Sequence, residues 1–137
     1  MADKVALPEK DRFPQVLQRT LELTGARVST ESVGKLYKIF KTLQWDFPDY
    51  SLSAYTVLDS EGRFGYAESI EGAPDAHITM DAGRLHQVVY GRGNMAKMFL
   101  SGQIKLKGVP MYKLMRFVPL LGPFLDSYRE ACEERPG

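Results

Sequence analysis

Ala76-His-Ile-Thr-Met-Asp81, followed after one helix length by Gly91-Arg-Gly-Asn-Met-Ala-Lys-Met-Phe-Leu-Ser-Gly-Gln-Ile-Lys-Leu-Lys-Gly108, is the stretch on which the fold turns. Ala76–Met80 reads as a short strand after Gly72-Ala73-Pro74, and Asp81 is placed to cap a helix that carries Leu85, Val88 and Val89 on one face and ends at Gly91. Asn94 is placed to cap the next helix, which turns Met95, Met98 and Phe99 inward and closes at Gly102. Ile104–Lys107 then returns as a strand, with Ile104 and Leu106 pointing one way and Lys105 and Lys107 the other. That alternation predicts a sheet with one dry and one wet face, unlike the continuously apolar strands of a doubly wound parallel sheet, so the helices are expected mainly on one side.

Upstream, Pro14 at an early helical position, Phe13, Val16, Leu17 and Leu21 at helical spacing, and Gly25 after the run mark a first helix. A second begins near Ser29 or Thr30 and presents Val33, Leu36, Tyr37, Phe40 and Leu43 on one stripe, with Lys35, Lys38 and Lys41 elsewhere. From Leu43 the period becomes two, since Leu43, Trp45 and Phe47 alternate with Gln44 and Asp46 until Pro48-Asp49 turns the chain. Tyr50–Leu58 and Arg63–Ser69, separated by Asp59-Ser60-Glu61-Gly62, read as a hairpin. After Pro110 a last helix offers Met111, Leu114, Met115 and Val118 on one face until Pro119, and a short exposed helix is expected within Asp126–Glu134. The fold class that follows is α/β of the α+β kind: a five-stranded, mainly antiparallel sheet with helices over one face. It forms one domain over 1–137, with its core at about 30–118 and residues 119–137 as an extension or lid.

A chain of 137 residues has room for one core. Eighteen Lys and Arg against seventeen Asp and Glu leave a formal charge of +1, which argues against a nucleic-acid partner. Cys132 stands alone, so no internal disulfide forms and a reducing, cytoplasmic setting is expected. The first residues carry charges throughout and lack the apolar stretch of an export signal. The longest charge-free runs, Tyr50–Leu58 and Phe117–Leu125, reach about half of a membrane span, so any membrane contact is expected to be peripheral.

Little in the sequence points to bond-making chemistry. His77, His86 and Cys132 are the softer metal ligands, without C-x-x-C or H-E-x-x-H spacing, and no serine sits in G-x-S-x-G. His86 reads as a surface or partly packed histidine. Gly91-Arg-Gly-Asn94 lacks both the third glycine of a dinucleotide fingerprint and the Gly-Lys-Ser/Thr of a phosphate loop, and reads as a tight turn between helices. Asp46, Asp49, Asp59, Glu61 and Glu68 suit turns and the wet strand face better than an acid and base pair. No metal, no cofactor and no enzymatic activity are expected.

The C-terminal half instead holds an apolar surplus, in which Met95, Met98, Met111 and Met115 join Phe99, Phe117, Phe124 and a Val-Pro-Leu-Leu-Gly-Pro segment. Methionine suits an adaptable lipid pocket and equally fills gaps in an ordinary core. Phe117–Leu125, interrupted by two prolines and a glycine, reads as irregular; it closes a cleft, meets a second subunit, touches a membrane surface or packs on the domain.

Taken together, the two stretches quoted first resemble the sterol carrier protein-2 family, in which a strand like Ile-Thr-Met leads through a helix and a Gly-containing turn to a second helix and a final strand like Ser101–Gly108. The resemblance covers about Val33 to Val118 and rests on structural glycines and apolar positions rather than catalytic groups. It implies an apolar tunnel between sheet and helices that binds and transfers a fatty acid, acyl chain, sterol or other isoprenoid lipid. The lining it implies is Trp45, Phe47, Ile78, Met80, Ile104 and Leu106 from the sheet, facing Val88, Met95, Met98, Phe99, Met111, Leu114, Met115, Val118 and Leu121. A peripheral membrane contact and a homodimer are both compatible with it. The alternative is a non-enzymatic accessory module that docks on an enzyme of lipid or quinone metabolism.

Overall fold

In the computed structural model, residues 6–90, 97, 101–114 and 121–134 are described. Helix α1, Phe13–Arg27, has Pro14 in its first turn, where no intrahelical amide is needed, and buries Phe13, Val16, Leu17, Thr20, Leu21 and Thr24. The two buried threonines return their hydroxyls to their own helix, Thr20 Oγ1 to Val16 O at 2.6 Å and Thr24 Oγ1 to Thr20 O at 2.7 Å. Gly25 does not end this helix as expected. A Cβ there would lie 3.1 Å from the Phe64 carbonyl, so the glycine is where α1 closes on the sheet edge, and the helix runs on to Arg27.

Ser29 caps α2, Thr30–Tyr37, by accepting the Ser32 amide at 3.0 Å. The helix stops before the end of its expected stripe. Phe40 is still buried, from the turn that follows, with Val33, Leu36, Leu58, Ala76 and Val109. The strands are β1 (Thr42–Phe47), β2 (Leu52–Leu58), β3 (Phe64–Ala67), β4 (Ala76–Thr79) and β5 (Lys105–Lys107), in the order β3-β2-β1-β4-β5. Every neighbouring pair is antiparallel except the central β1 and β4, which run parallel. Between β1 and β2, Pro48–Tyr50 forms a single 3-10 turn, so β2 starts two residues later than expected, at Leu52.

Register places Ala54, Trp45, Ile78 and Leu106 side by side across one face, and Gln44 and His77 on the other with Lys107 opposite His77. The first face is the dry one. Phe13 of α1 meets the Phe47 ring edge-on at 5.0 Å, and the pair belongs to a core shared with Ile78, Met80, Leu85, Val89 and Ile104. The helices cover this face, as the alternation of the strands predicts. Gly108, at φ +89, ends β5 where a Cβ would stand 2.3 Å from the Asp75 carbonyl, so only glycine lets the chain pass there.

Helix α3, Ala82–Tyr90, takes its cap from a distant residue. The Asp49 carboxylate accepts the amides of Ala82 at 2.8 Å and Gly83 at 3.0 Å, which is the role the sequence suggested for the Asp81 side chain. A short helical turn α4, Met111–Leu114, follows β5.

The largest departure is α5, Leu121–Glu133. Gly122 and Pro123 do not interrupt it, because they fall in its first turn, where a missing amide costs nothing. Far from being a short exposed helix, it buries Ser127, Tyr128, Ala131 and Cys132 and packs along α1. Polar bonds edge that contact: Arg27 pairs with Glu130 and donates to Ser127 Oγ at 3.0 Å, Arg19 reaches Glu134 at 2.9 Å, and Arg12 donates to the Glu134 carbonyl at 2.9 Å. No helix among the described residues is long and apolar enough to cross a membrane.

Candidate functional site

The dry face is unevenly covered. Of the side chains expected to line an apolar site, Phe47, Ile78, Met80 and Ile104 are closed core, with at most 5% of their surface exposed. Trp45, Val88 and Leu106 are only partly buried, as are Leu43, Phe124 and Leu125 around them. Helical backbone places Met111, Leu114 and Leu121 in α4 and α5, whereas Met95, Met98, Phe99, Met115 and Val118 lie outside the described residues.

Trp45 is the centre of the partly covered strip. Its indole Nε1 donates to Thr56 Oγ1 at 2.8 Å, and Thr56 is itself 1% exposed, so the polar corner of the indole is satisfied under the sheet's cover. The ring lies parallel to Phe47, at 6.3 Å and 5°, and to Phe124 of α5, at 5.5 Å and 3°. Thr56 and Phe124 are the contributors missed from the sequence. A threonine alternating onto the dry side of β2 was the available signal for the first; for the second, the prolines around it obscured the helix.

Residues 17–122 match the profile of the SCP-2 sterol transfer family. The chain belongs to that family. The fold of this SCP-2 domain is similar to that of the UbiJ-SCP2 ubiquinone synthesis protein, with a TM-score of 0.56 and 15% identity over 90% of this chain and 99% of that one. It is similar to apo sterol carrier protein 2 from Yarrowia lipolytica, with a TM-score of 0.51 and 16% identity over 92% of this chain and 97% of the other. It is also similar to part of a stereoselective inverting sec-alkylsulfatase from Pseudomonas sp., with a TM-score of 0.56 and 22% identity over 73% of this chain but only 15% of the sulfatase. No curated protein matches the sequence.

The polar groups of the SCP-2 domain serve mainly to join elements. On the wet face the Asp46 carboxylate accepts from Ser53 Oγ at 2.6 Å and Gln44 Nε2 at 2.9 Å, and contacts His77 Nε2, tying β1 to β2 and β4. Partial burial pushes this carboxyl up, yet the bonds from Ser53, Gln44 and His77 together outweigh it and hold Asp46 below the ordinary value. Between α3 and α5, His86 Nδ1 lies 3.0 Å from the Tyr128 hydroxyl. Burial first, and the neighbouring Cys132 second, push Tyr128 far above the tyrosine range; burial likewise raises the Cys132 thiol. A buried, protonated thiol is a poor nucleophile. Among the described residues no three His, Cys, Asp or Glu side chains converge to hold a metal.

Proposed function

We propose that this SCP-2 domain binds and transfers a hydrophobic lipid-like molecule, a fatty acid, acyl chain, sterol or isoprenoid, laid against the partly covered strip of its dry sheet face. The observation that carries the reading is that Trp45, Leu106, Val88 and Phe124 are half-buried apolar side chains packed against one closed core, in a chain of the SCP-2 sterol transfer family. Binding there is burial without bond making. Each methylene removed from water contributes about 0.8 kcal/mol, so an alkyl chain of about ten carbons gains roughly 8 kcal/mol before ordering costs reduce it. Affinity in the micromolar range needs no directed polar contact.

Trp45 is the only tryptophan, which makes the site self-reporting. Delipidated protein titrated with a fluorescent fatty acid should show saturable binding and energy transfer from Trp45, with displacement by unlabelled lipid. A folded sample that binds none of fatty acid, fatty alcohol or sterol sinks the reading.

A second reading, a non-catalytic accessory module for an enzyme of lipid or quinone metabolism, is supported by the likeness in fold to the UbiJ-SCP2 ubiquinone synthesis protein. Size-exclusion chromatography with and without candidate enzymes separates the two. A carrier takes ligand alone, whereas a docking module elutes with its partner and takes none.

A further inference from the structure

At the end of the sheet where β4 runs into α3, the molecule carries an open cleft of about 260 Å3 whose chemistry differs from that of the apolar strip. Thr79, Asp81, Arg84, Gln103 and Lys105 supply polar walls, and Met80 also lines it. The cations in it are unspent. Arg12, Arg19, Arg27, Arg63 and Arg129 each engage a carboxylate or a main-chain carbonyl, yet among the described residues the half-buried Arg84 side chain makes no hydrogen bond and no ion pair, and neither does the Lys105 side chain.

The nearby helix end does not account for this charge, because the first amides of α3 are already taken by Asp49. The Asp81 carboxylate stands in the same lining without pairing with either cationic group, so among the described lining residues two positive side chains face one negative one and the cleft keeps a positive excess. A guanidinium fork matches the two oxygens of a carboxylate or phosphate, an ammonium adds a point charge, and the side chains of Gln103 and Thr79 add donors. Thr79 and Lys105 project from the wet face, whereas Met80, 2% exposed, belongs to the same core as Ile78 and Ile104, so the cleft lies at the end of the sheet where the wet face meets the edge of the core.

We propose that this cleft is an oxyanion site, in which Arg84 and Lys105 grip a carboxylate or phosphate group. Where that group is the head of an amphiphile, the assignment rests on the lipid-binding reading above, and the cleft fixes the polar end of the ligand while its tail is buried.

The test uses the full, delipidated chain with dodecanoate, dodecanol and inorganic phosphate as probes, in wild type, the double variant Arg84→Gln with Lys105→Gln, and Lys38→Gln, which removes a surface charge away from the cleft. If the anion is a headgroup, wild type binds dodecanoate about fivefold more tightly than dodecanol, the double variant brings the ratio near one with dodecanol unchanged, and Lys38→Gln keeps the preference. If the source is a free anion, phosphate alone saturably shifts the Gly102 and Gln103 amide resonances in wild type and not in the double variant. Equal affinity for acid and alcohol, with no phosphate response, overturns the cleft and leaves lipid binding standing. Failure of both dodecyl probes beside a saturable phosphate response does the reverse. Should the double variant lose its far-ultraviolet circular dichroism, Lys105→Gln alone, on the exposed edge strand, carries the test with a smaller change in the ratio.

Discussion

Replacing Phe124 by alanine tests both the placement of α5 and the environment of Trp45. The ring is partly buried and lies parallel to the indole at 5.5 Å. Truncating a fully buried phenylalanine costs about 3–5 kcal/mol, and a stacked pair adds about 1 kcal/mol beyond its area. Because Phe124 keeps some exposure and stands in the first turn of α5, where the backbone relaxes most readily, the expected loss is about 2–3 kcal/mol. A domain of ordinary stability survives that. Urea denaturation followed by far-ultraviolet circular dichroism should show the midpoint falling with an unchanged slope, and the Trp45 emission of the folded protein should move to the red as water reaches the indole. Phe124→Leu, which keeps apolar bulk but removes the parallel ring, should recover all but about 1 kcal/mol. A Phe124→Ala midpoint equivalent to wild type within about 0.5 kcal/mol, with unmoved emission, would mean that α5 does not lie on Trp45 in solution, and the proposed apolar strip would lose one wall.

Further outcomes follow from single contacts. Asp49→Ala removes both side-chain bonds to the α3 amides and should cost about 1–2 kcal/mol in thermal or urea unfolding, with Asp49→Asn intermediate; an unchanged stability would return the cap to Asp81. The folded carboxyl of Asp46 sits below its ordinary value of 3.8, so its stabilising contribution is complete above that pH and is lost as pH falls through the lower folded value. Asp46→Asn should therefore be less stable near neutrality and show a flatter acid limb; a limb as steep as that of wild type in urea titrations would place the dependence elsewhere. Gly108→Ala must fit a Cβ at φ +89 and 2.3 Å from the Asp75 carbonyl, so a loss of at least about 2 kcal/mol is expected, and a neutral substitution would contradict the tight passage beside β4.

The elements that were legible beforehand owe this to local chemistry. Pro14, the helix start near Ser29 and the alternation of Leu43, Trp45 and Phe47 act within a few residues, and each appears where its pattern places it. Where the reading missed, the deciding contact came from far along the chain. Gly25 looks like a helix stop until β3 is seen to press against it, and Asp81 looks like the cap of α3 until Asp49 arrives across the 3-10 turn. Gly122 and Pro123 look like breakers because their effect depends on position within a helix whose start no local signal marks. The candidate site divides in the same way: sequence spacing put Trp45 and Phe47 on one face, but not which of them would be sealed by Phe13 and which left partly open beside Phe124.

By itself, the sequence determined a single two-faced sheet, the side the helices cover and the family to which the chain belongs, because side-chain alternation and turn residues are properties of neighbours in the chain. Only the tertiary structure decided that the acidic C-terminal segment is a core helix, that the dry face keeps half-covered apolar side chains around Trp45, and that Arg84 and Lys105 share a cleft in which, among the described residues, no carboxylate pairs with either. Burial and charge pairing are set by whichever residues meet in space, and those partners stand tens of positions apart along the chain.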